Sequence, residues 1–294
     1  MAKAVPLFSG SKGNSYFIGS GNEGVLIDAG KNCKQIELAM ELNGIDMRLV
    51  RALFITHEHT DHCAAVRVLA KKYDLDVYAS AGTMRALEMS SKLDPRTRTH
   101  IMETEVAVGN MLISRINTPH DAAESCCYRV VTPDGKSALI ATDMGVMTDG
   151  VRFAAAESDF VVLESNHDIE MLKTGPYPYP LKKRILSDRG HLSNEACAAE
   201  LVELVKSGTL RLMLGHLSEQ NNTPQLALRT SVCELERAGM KYNNDFTLDV
   251  APAMTTQKSV IFNAEDQHYL HRQNQGKIFY RRHSRIPKAA WRVL

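Results

Sequence analysis

The apolar positions in the first third of the chain change repeatedly between two patterns. Short apolar runs bounded by Gly, Ser or Asn are typical of strands that end in turns. Other segments place apolar residues three and four positions apart, which is the spacing of one helix face. Strands are therefore predicted at 4–8, 15–19, 24–30 and 51–56, and helices at 32–45 and 61–74. A further strand and helix are predicted within 77–90.

Beyond residue 100 the chain first becomes rich in β-type runs and then returns to alternation. Two β-rich segments, 105–118 and 125–142, each contain a Gly turn near the middle, which predicts hairpins. The remaining predictions are strands at 159–165, 210–218 and 257–262 and helices at 193–208 and 224–239. Because both halves run from strands to alternating helices and strands, the order predicts an α/β fold with two mixed β-sheets face to face and helices outside.

The composition of the 294 residues is that of an ordinary globular protein, with 44% hydrophobic and 23% charged residues. The start of the chain, MAKAVPLFSG, lacks the apolar core of a signal peptide, and no apolar run approaches the ~20 residues needed to cross a bilayer. The six cysteines show no CxxC pair, so we expect reduced thiols in a cytoplasmic protein without membrane contact.

The net charge of +1 conceals a basic carboxyl-terminal segment. Residues 267–294 contain seven Lys and Arg and no acidic residue, so residues 1–266 carry a charge of −6. We therefore predict a domain at 1–262 and a flexible basic tail at 263–294. The tail is interpreted either as an arm attracted to polyanions or as an extension without a role.

The segment THEHTDH, residues 56–62, carries the strongest chemical signal of the sequence. His57 and His59 follow a predicted strand at i and i+2, so both rings can point the same way. Asp61 and His62 begin the next helix, whose free N–H groups and positive dipole end favour a carboxylate. Imidazoles and carboxylates are ligands of Zn²⁺ or Mn²⁺, and two separate pairs suit two cations better than one.

Further candidate ligands follow three other predicted strands. His120, Asp143 and His216 each come just after an apolar run, and the two carboxylate oxygens of Asp143 could bridge two cations. His100 has no such context and is expected on the surface.

These motifs in this order resemble the metallo-β-lactamase-fold hydrolases. Segments such as FSGSKGNSYFIG, VLIDAG and GHLSEQNNTPQLA are similar to the YycJ/WalJ-like branch of that family, and the resemblance spans about residues 4–262. It implies an αββα sandwich and a 5′-to-3′ exonuclease activity on DNA linked to repair. By position it implies a first metal bound by His57, His59 and His120, a second bound by Asp61, His62 and His216, and Asp143 as the bridge.

Two cations ~3.5–4 Å apart can lower the pKa of a shared water and stabilise charge on attacking and leaving oxygens. Phosphodiesters, β-lactams and thioesters are all open to such attack, so the loops around the metals must select the substrate. Asp61 is predicted to serve catalysis as well as metal binding.

Two loops favour a phosphate substrate. The segment 9–15 offers small residues, hydroxyls and a lysine that could hold an anion, although it could equally be a turn between strands. The segment 175–193 combines aromatic and basic residues that could stack on bases and meet phosphates, or it is a proline-braced surface loop. The predicted substrate-binding residues are Ser9, Ser11, Lys12, Asn14, Tyr177, Arg184 and Arg189.

His191 is predicted to be the general acid or the donor to a developing oxyanion. It follows Gly190, which frees the backbone, and precedes the predicted helix cap Ser193. An imidazole that titrates near neutral pH can protonate a leaving alkoxide. His167 is the competing candidate, and we expect it to orient neighbours of the site.

The sequence therefore predicts a dinuclear-metal phosphodiesterase, and the resemblance implies double-stranded DNA with free ends as its substrate. A phosphodiesterase for small molecules such as cyclic nucleotides is the alternative enzyme. A metal-stabilised DNA-binding scaffold without catalysis is the alternative from another class.

Overall fold

The computed structural model describes residues 1–255 and the short strand Val260–Ile261. Within these residues the chain forms two β-sheets of seven strands each. The strands of the first half are β1 (Ala2–Phe8), β2 (Ser15–Ser20), β3 (Glu23–Ile27), β4 (Val50–Phe54), β5 (Asp76–Ala79) and β6 (Thr99–Ile101). Those that follow are β7 (Glu105–Val108), β8 (Met111–Asn117), β9 (Cys126–Val131), β10 (Ser137–Ala141), β11 (Phe160–Glu164), β12 (Arg211–Gly215), β13 (Thr247–Val250) and β14 (Val260–Ile261).

Helices cover the outer faces of both sheets. The first half contains α1 (Cys33–Leu42), α2 (Thr60–Cys63), α3 (Val66–Tyr73) and α4 (Ala81–Met89), with a 3₁₀ turn at Met47–Leu49. The second half contains α5 (Asp149–Ala156), α6 (Ile169–Thr174), α7 (Tyr179–Ile185), α8 (Asn194–Ser207) and α9 (Pro224–Arg237).

Each sheet changes from antiparallel to parallel pairing along its width. In the first sheet, ordered β14-β1-β2-β3-β4-β5-β6, the strands from β3 to β6 are parallel. In the second, ordered β13-β12-β11-β10-β9-β8-β7, the strands from β10 to β13 are parallel. The carboxyl ends of parallel strands meet at one edge of a sheet, and this edge carries the candidate site described below.

The core has three apolar layers. Aromatic and β-branched side chains fill the space between the sheets, with Phe54, Tyr128 and Phe160 among the largest. Two further clusters fill the spaces between each sheet and its helices. Because both faces of both sheets are covered, the αββα sandwich predicted from the sequence is confirmed.

Several local predictions are also confirmed. The side chain of Asn32 accepts a hydrogen bond from Gln35 N as the N-cap of α1, and Ser193 caps α8 in the same way. Gly208 ends α8 in the left-handed conformation with φ of 104°. All six cysteines are free thiols.

The single helix predicted at 61–74 was wrong, because the structure divides it into α2 and α3. The loop after β3 causes the division. Ala29 N donates to His62 O and Ala65 N donates to Ala29 O, so this loop replaces part of the helical hydrogen bonding. Gly30 permits the close approach, since a Cβ at this position would lie 1.6 Å from Asp61 O.

The segment 175–193 is only partly a loop, because its residues 179–185 form α7. The sequence interpretation also missed β6, β13, α5 and α6. These elements have three to eight residues, too few to display a clear periodicity.

Most of the predicted last strand, 257–262, lies outside the described residues, as does the predicted tail 263–294. The domain boundary at residue 262 therefore stays a prediction. None of the helices in the described part of the chain has the length and apolar character needed to cross a membrane.

Candidate metal centre

The structure brings all seven predicted metal ligands together at the carboxyl-end edge of the two sheets. They extend from the loops that follow β4, β8, β10 and β12 and from α2. Four groups have ligand atoms that lie within 4.8 Å of one another: His57, His59 and His120; Asp61, His62 and His216; His57, His62 and Asp143; and Asp143, Glu164, His191 and His216.

The first group is a cluster of three imidazoles. His57 Nε2 lies 3.0 Å from His59 Nδ1, and the His120 ring lies 5.1 Å from that of His57. His120 Nδ1 donates to Gly190 O at 3.0 Å, which leaves Nε2 to face the group. Burial lowers the pKa of His57 and of His120, so both rings are held neutral, the form in which imidazole binds a metal.

The second group combines Asp61 with two imidazoles. Asp61 Oδ2 lies 3.6 Å from His62 Nε2 and 3.8 Å from His216 Nε2. Burial lowers the pKa of both histidines, but the surrounding carboxylates have the larger, opposite effect. They raise the pKa of His62 well above its usual value and that of His216 to about 10. A cation bound here would replace the protons that these carboxylates now stabilise.

Asp143 lies between the two groups. Its Oδ2 is 3.2 Å from His62 Nε2, and its Oδ1 is 3.5 Å from His216 Nε2 and 3.8 Å from His120 Nε2. Although burial opposes it, the neighbouring histidines hold the pKa of Asp143 well below its usual range. Its Oδ2 and His216 Nε2 are buried without hydrogen-bond partners. Such unpaired atoms in a set of five imidazoles and two carboxylates fit two divalent cations bridged by Asp143.

Comparison with known proteins agrees with this geometry. A family model described as the metallo-beta-lactamase superfamily matches residues 9–216. The chain belongs to the metallo-β-lactamase superfamily.

Curated relatives of this superfamily member cover most of its length. It is 38% identical over 256 residues to "Exodeoxyribonuclease WalJ" of Streptococcus pneumoniae, an alignment that covers 85% of this chain and 94% of the relative. It is 37% identical over 254 residues to "Exodeoxyribonuclease YycJ" of Bacillus anthracis, covering 85% of this chain and 96% of the relative.

Comparison with solved structures supports the architecture alone. YhfI from Bacillus subtilis aligns with a TM-score of 0.63 at 16% identity and covers 87% of this chain and 98% of its own. PqqB from Methylobacterium extorquens also gives a TM-score of 0.63, at 14% identity, covering 88% and 100%.

Two buried carboxylates that sequence reasoning missed support the ligands of this metallo-β-lactamase site. Asp28 Oδ2 accepts from His62 Nδ1 at 2.7 Å, and Glu164 Oε1 accepts from His216 Nδ1 at 2.9 Å. Each contact fixes the ring orientation and turns Nε2 toward Asp61 and the other candidate ligands. The signal was present, because Asp28 and Glu164 end apolar runs just as Asp143 follows one.

Three residues of the candidate site have a strained backbone conformation. Asp28, Asp143 and His216 have φ values of 62°, 61° and 55°, in the left-handed region that non-glycine residues rarely adopt. Each lies directly at or just beyond the end of a strand. Such strain persists where the surrounding structure fixes the residue, and it is concentrated at functional sites.

His191 belongs to the fourth of these groups and lies beside the first and the second. Its ring centroid is 5.1 Å from that of His120 and 5.3 Å from that of His216. Its Nδ1 donates to Glu164 Oε1 at 2.7 Å, so its Nε2 is the ring nitrogen outside this contact. Gly190 lies tightly against α7, since a Cβ there would be 2.2 Å from Ile185 O.

His167 lies outside the candidate ligand groups. It is 1% exposed, and neither ring nitrogen has a hydrogen-bond partner. Burial lowers its pKa to about 4, so the ring is neutral. Its carbonyl accepts from Asn194 N at the start of α8. The prediction that it orients neighbours of the site stays a prediction.

The residues of the predicted anion loop divide into two kinds. Ser9 and Asn14 are buried: Ser9 Oγ accepts from His216 N at 2.8 Å, and Asn14 Nδ2 lies 3.0 Å from His62 Nε2. Ser11 and Lys12 are exposed, and Lys12 Nζ forms an ion pair with Glu219. The loop therefore lies against the candidate metal centre, with only its tip open to solvent.

Both predicted substrate-binding arginines contact the His120 segment. Arg189 donates to His120 O through Nε at 3.2 Å and Nη2 at 2.9 Å, and Arg184 on α7 pairs with Asp121. Tyr177 is half-buried. The expectation for His100 is confirmed, since it lies exposed on β6 and stacks on Tyr78.

Proposed function

We propose that this metallo-β-lactamase-fold protein is a dinuclear-metal exodeoxyribonuclease that degrades double-stranded DNA from free ends in the 5′-to-3′ direction. Relatives named exodeoxyribonucleases support DNA as the substrate, because they align over nearly their whole length at 37–38% identity. The cluster of seven ligand-type residues at the sheet edge supports the metal dependence. A role in DNA repair and a cytoplasmic location accompany this proposal.

The metal-binding roles follow from the contacts. We assign His57, His59 and His120 to one cation, Asp61, His62 and His216 to the other, and Asp143 to both, with Zn²⁺ or Mn²⁺ as the ions. The two cations, when bound, would supply an activated water and stabilise charge on the phosphate oxygens. The residues of the chain hold the ligands in place, with Asp28 and Glu164 fixing the orientation of His62 and His216.

His191 would act on the leaving group. Glu164 accepts a hydrogen bond from His191 Nδ1, which fixes the ring and would leave Nε2 to face the substrate. A proton at Nε2 would then pass to the leaving alkoxide, which departs poorly without one. Asp61 stays ionised because, although burial opposes it, its contacts with His216 and His62 lower its pKa.

The predicted substrate-binding residues would contact the DNA or support the candidate ligands. Ser11 and Lys12 would meet phosphate at the loop tip, and Tyr177 would meet a base or sugar. Ser9 and Asn14 would act through the histidines that they contact, and Arg184 and Arg189 would combine phosphate binding with support of the His120 segment. We further propose that the basic residues at 263–294, which lie outside the described residues, attract DNA.

A direct test uses metal-loaded protein with duplexes labelled at the 5′ end or the 3′ end, and with a cyclic nucleotide. Exonuclease action from the 5′ end predicts immediate release of label from the first duplex and delayed release from the second. Hydrolysis of the cyclic nucleotide alone would favour the small-molecule phosphodiesterase. DNA binding without hydrolysis in Mn²⁺, Zn²⁺ and Mg²⁺ would favour a scaffold.

A further inference from the structure

A carboxylate beside the first imidazole group has one oxygen without a partner. Asp121 directly follows His120, and its Oδ1 lies 3.3 Å from His120 Nε2, the nitrogen that faces the group. Oδ1 is buried and accepts no hydrogen bond. The negative charge of Asp121 is therefore close to the position where a cation would bind, although Asp121 is outside the predicted ligand set.

The other oxygen of Asp121 is held by a basic residue from α7. Arg184 Nε donates to Asp121 Oδ2, and the Arg184 side chain is 53% exposed. Its Nη1 and Nη2 groups make no hydrogen bond to other residues in the described part of the chain. The same guanidinium thus neutralises Asp121 and offers free donors to a phosphate from solvent.

We propose that the Arg184–Asp121 ion pair couples phosphate binding to cation binding at the His57/His59/His120 group. While Arg184 stays on Asp121, its positive charge weakens the attraction of this group for a cation. A substrate phosphate that draws the guanidinium away leaves the Asp121 carboxylate to attract the cation. By linkage, a bound cation strengthens phosphate binding by the same factor. The proposal rests on the proposed function only for the phosphate that competes with Asp121.

A plain structural role for the pair makes different predictions. If Arg184 only fastened α7 to the His120 segment, removal of either partner would loosen the segment and weaken cation binding. Electrostatic coupling instead requires opposite effects, because Arg184 repels a cation and Asp121 attracts one. The direction in which each substitution changes cation affinity therefore distinguishes the two interpretations.

The experiment is calorimetric titration of metal-free protein with Mn²⁺, with and without thymidine 5′-monophosphate, which contains no diester to cleave. For the wild type we expect the nucleotide to tighten Mn²⁺ binding about five- to tenfold, within the usual range of couplings between sites. Arg184→Gln should bind Mn²⁺ more tightly without nucleotide, Asp121→Asn more weakly, and both should lose most of the nucleotide effect. Arg184→Lys should keep the sign of the wild-type coupling.

Matched controls come from an Arg–Asp ion pair on the surface. Arg48 pairs with Asp46 at the 3₁₀ turn, so Arg48→Gln and Asp46→Asn should leave Mn²⁺ affinity and the nucleotide effect unchanged. Thermal melting of each metal-free variant checks that it is folded. Weaker Mn²⁺ binding in both Arg184→Gln and Asp121→Asn, or an unchanged nucleotide effect in either, would overturn the proposal.

This outcome is separable from that of the proposed function, since the titration does not depend on cleavage. Wild-type protein that digests DNA while the two variants retain full coupling would refute the coupling alone. Wild-type protein that shows the coupling but digests no DNA would refute the exonuclease and keep the coupling.

Discussion

Glu164 Oε1 accepts a hydrogen bond from His191 Nδ1 at 2.7 Å, and the same oxygen accepts one from the candidate metal ligand His216. Glu164 is fully buried, and its Oε2 accepts from Met144 N at 2.9 Å, one residue beyond Asp143. Although burial opposes it, the two histidines lower the pKa of Glu164 to about 2, so it stays ionised. One carboxylate therefore orients both a metal ligand and the proposed proton donor.

Replacing this carboxylate should affect both partners at once. We expect Glu164→Gln to weaken metal binding at the His216 group roughly 10- to 100-fold, as other losses of a carboxylate behind a metal-bound histidine do. It should also lower kcat at saturating metal, because a neutral amide replaces the carboxylate that accepts from His191 Nδ1 and fixes its ring. Metal titration and steady-state kinetics measure the two effects separately. Normal kcat with saturating metal would show that His191 works without Glu164.

His191→Ala should retain both metals and lose roughly 10²–10⁴-fold in kcat, the range typical of a general acid. A substrate with nitrophenolate as leaving group should recover much of the loss, because this anion departs without a proton. His100→Ala is the control and should be close to wild type, since His100 lies exposed on β6. Loss of a metal from the His191 variant, or equal damage on both substrates, would exclude the acid role.

The sequence predicted most of this centre but not its support. The ligand positions could be predicted because each follows an apolar strand, and strand ends meet at one edge of the fold. Glu164 and Asp28 were missed because their roles depend on which histidine each of them contacts in the folded protein. The contact of Arg189 with His120 O joins residues 69 positions apart, and no local pattern encodes such a contact. Helix α7 was predicted as part of a loop because its seven residues begin with a Tyr-Pro pair.

Asp143→Ala should lose both metals or hold one loosely. Asp143 is the carboxylate that lies between the two imidazole groups, and its Oδ2 has no hydrogen-bond partner. Elemental analysis after gel filtration measures the metal content. Two tightly bound metals in the variant would contradict the bridging assignment.

The metal-free protein should lose stability as the pH rises above neutrality. Although burial opposes it, contacts with Asp143, Asp61 and Glu164 raise the pKa of His216 from 6.5 to about 10. A raised folded-state pKa gives stability that is fully present below the unfolded value and lost as the pH rises through the folded one. The free energy of unfolding of metal-free protein should therefore fall between about pH 7 and pH 10. Urea denaturation across this range measures it.

The control for this pH dependence is a variant in which the titrating group is absent. His216→Gln should show a smaller fall over the same range, while metal-loaded wild type should show none from this group, because a bound cation keeps His216 deprotonated. Metal binding near neutral pH should accordingly release protons, which calorimetry in two buffers of different ionisation enthalpy detects. An equal fall in wild type and His216→Gln would show that another group is responsible.

Lys12→Ala tests the tip of the loop between β1 and β2. The Lys12 side chain is 71% exposed and pairs with Glu219, so the ion pair should contribute little to stability and the melting temperature should hardly change. If Lys12 meets a DNA phosphate, the variant should raise KM and reduce the slope of log affinity against log salt by about one. Lys206→Ala is the matched control, because Lys206 is an exposed lysine paired with Glu203 near the carboxyl end of α8 and belongs to none of the candidate ligand groups. An unchanged KM and salt slope in Lys12→Ala would leave the loop as a support of His62 and His216 through Asn14 and Ser9, with no substrate contact at its tip.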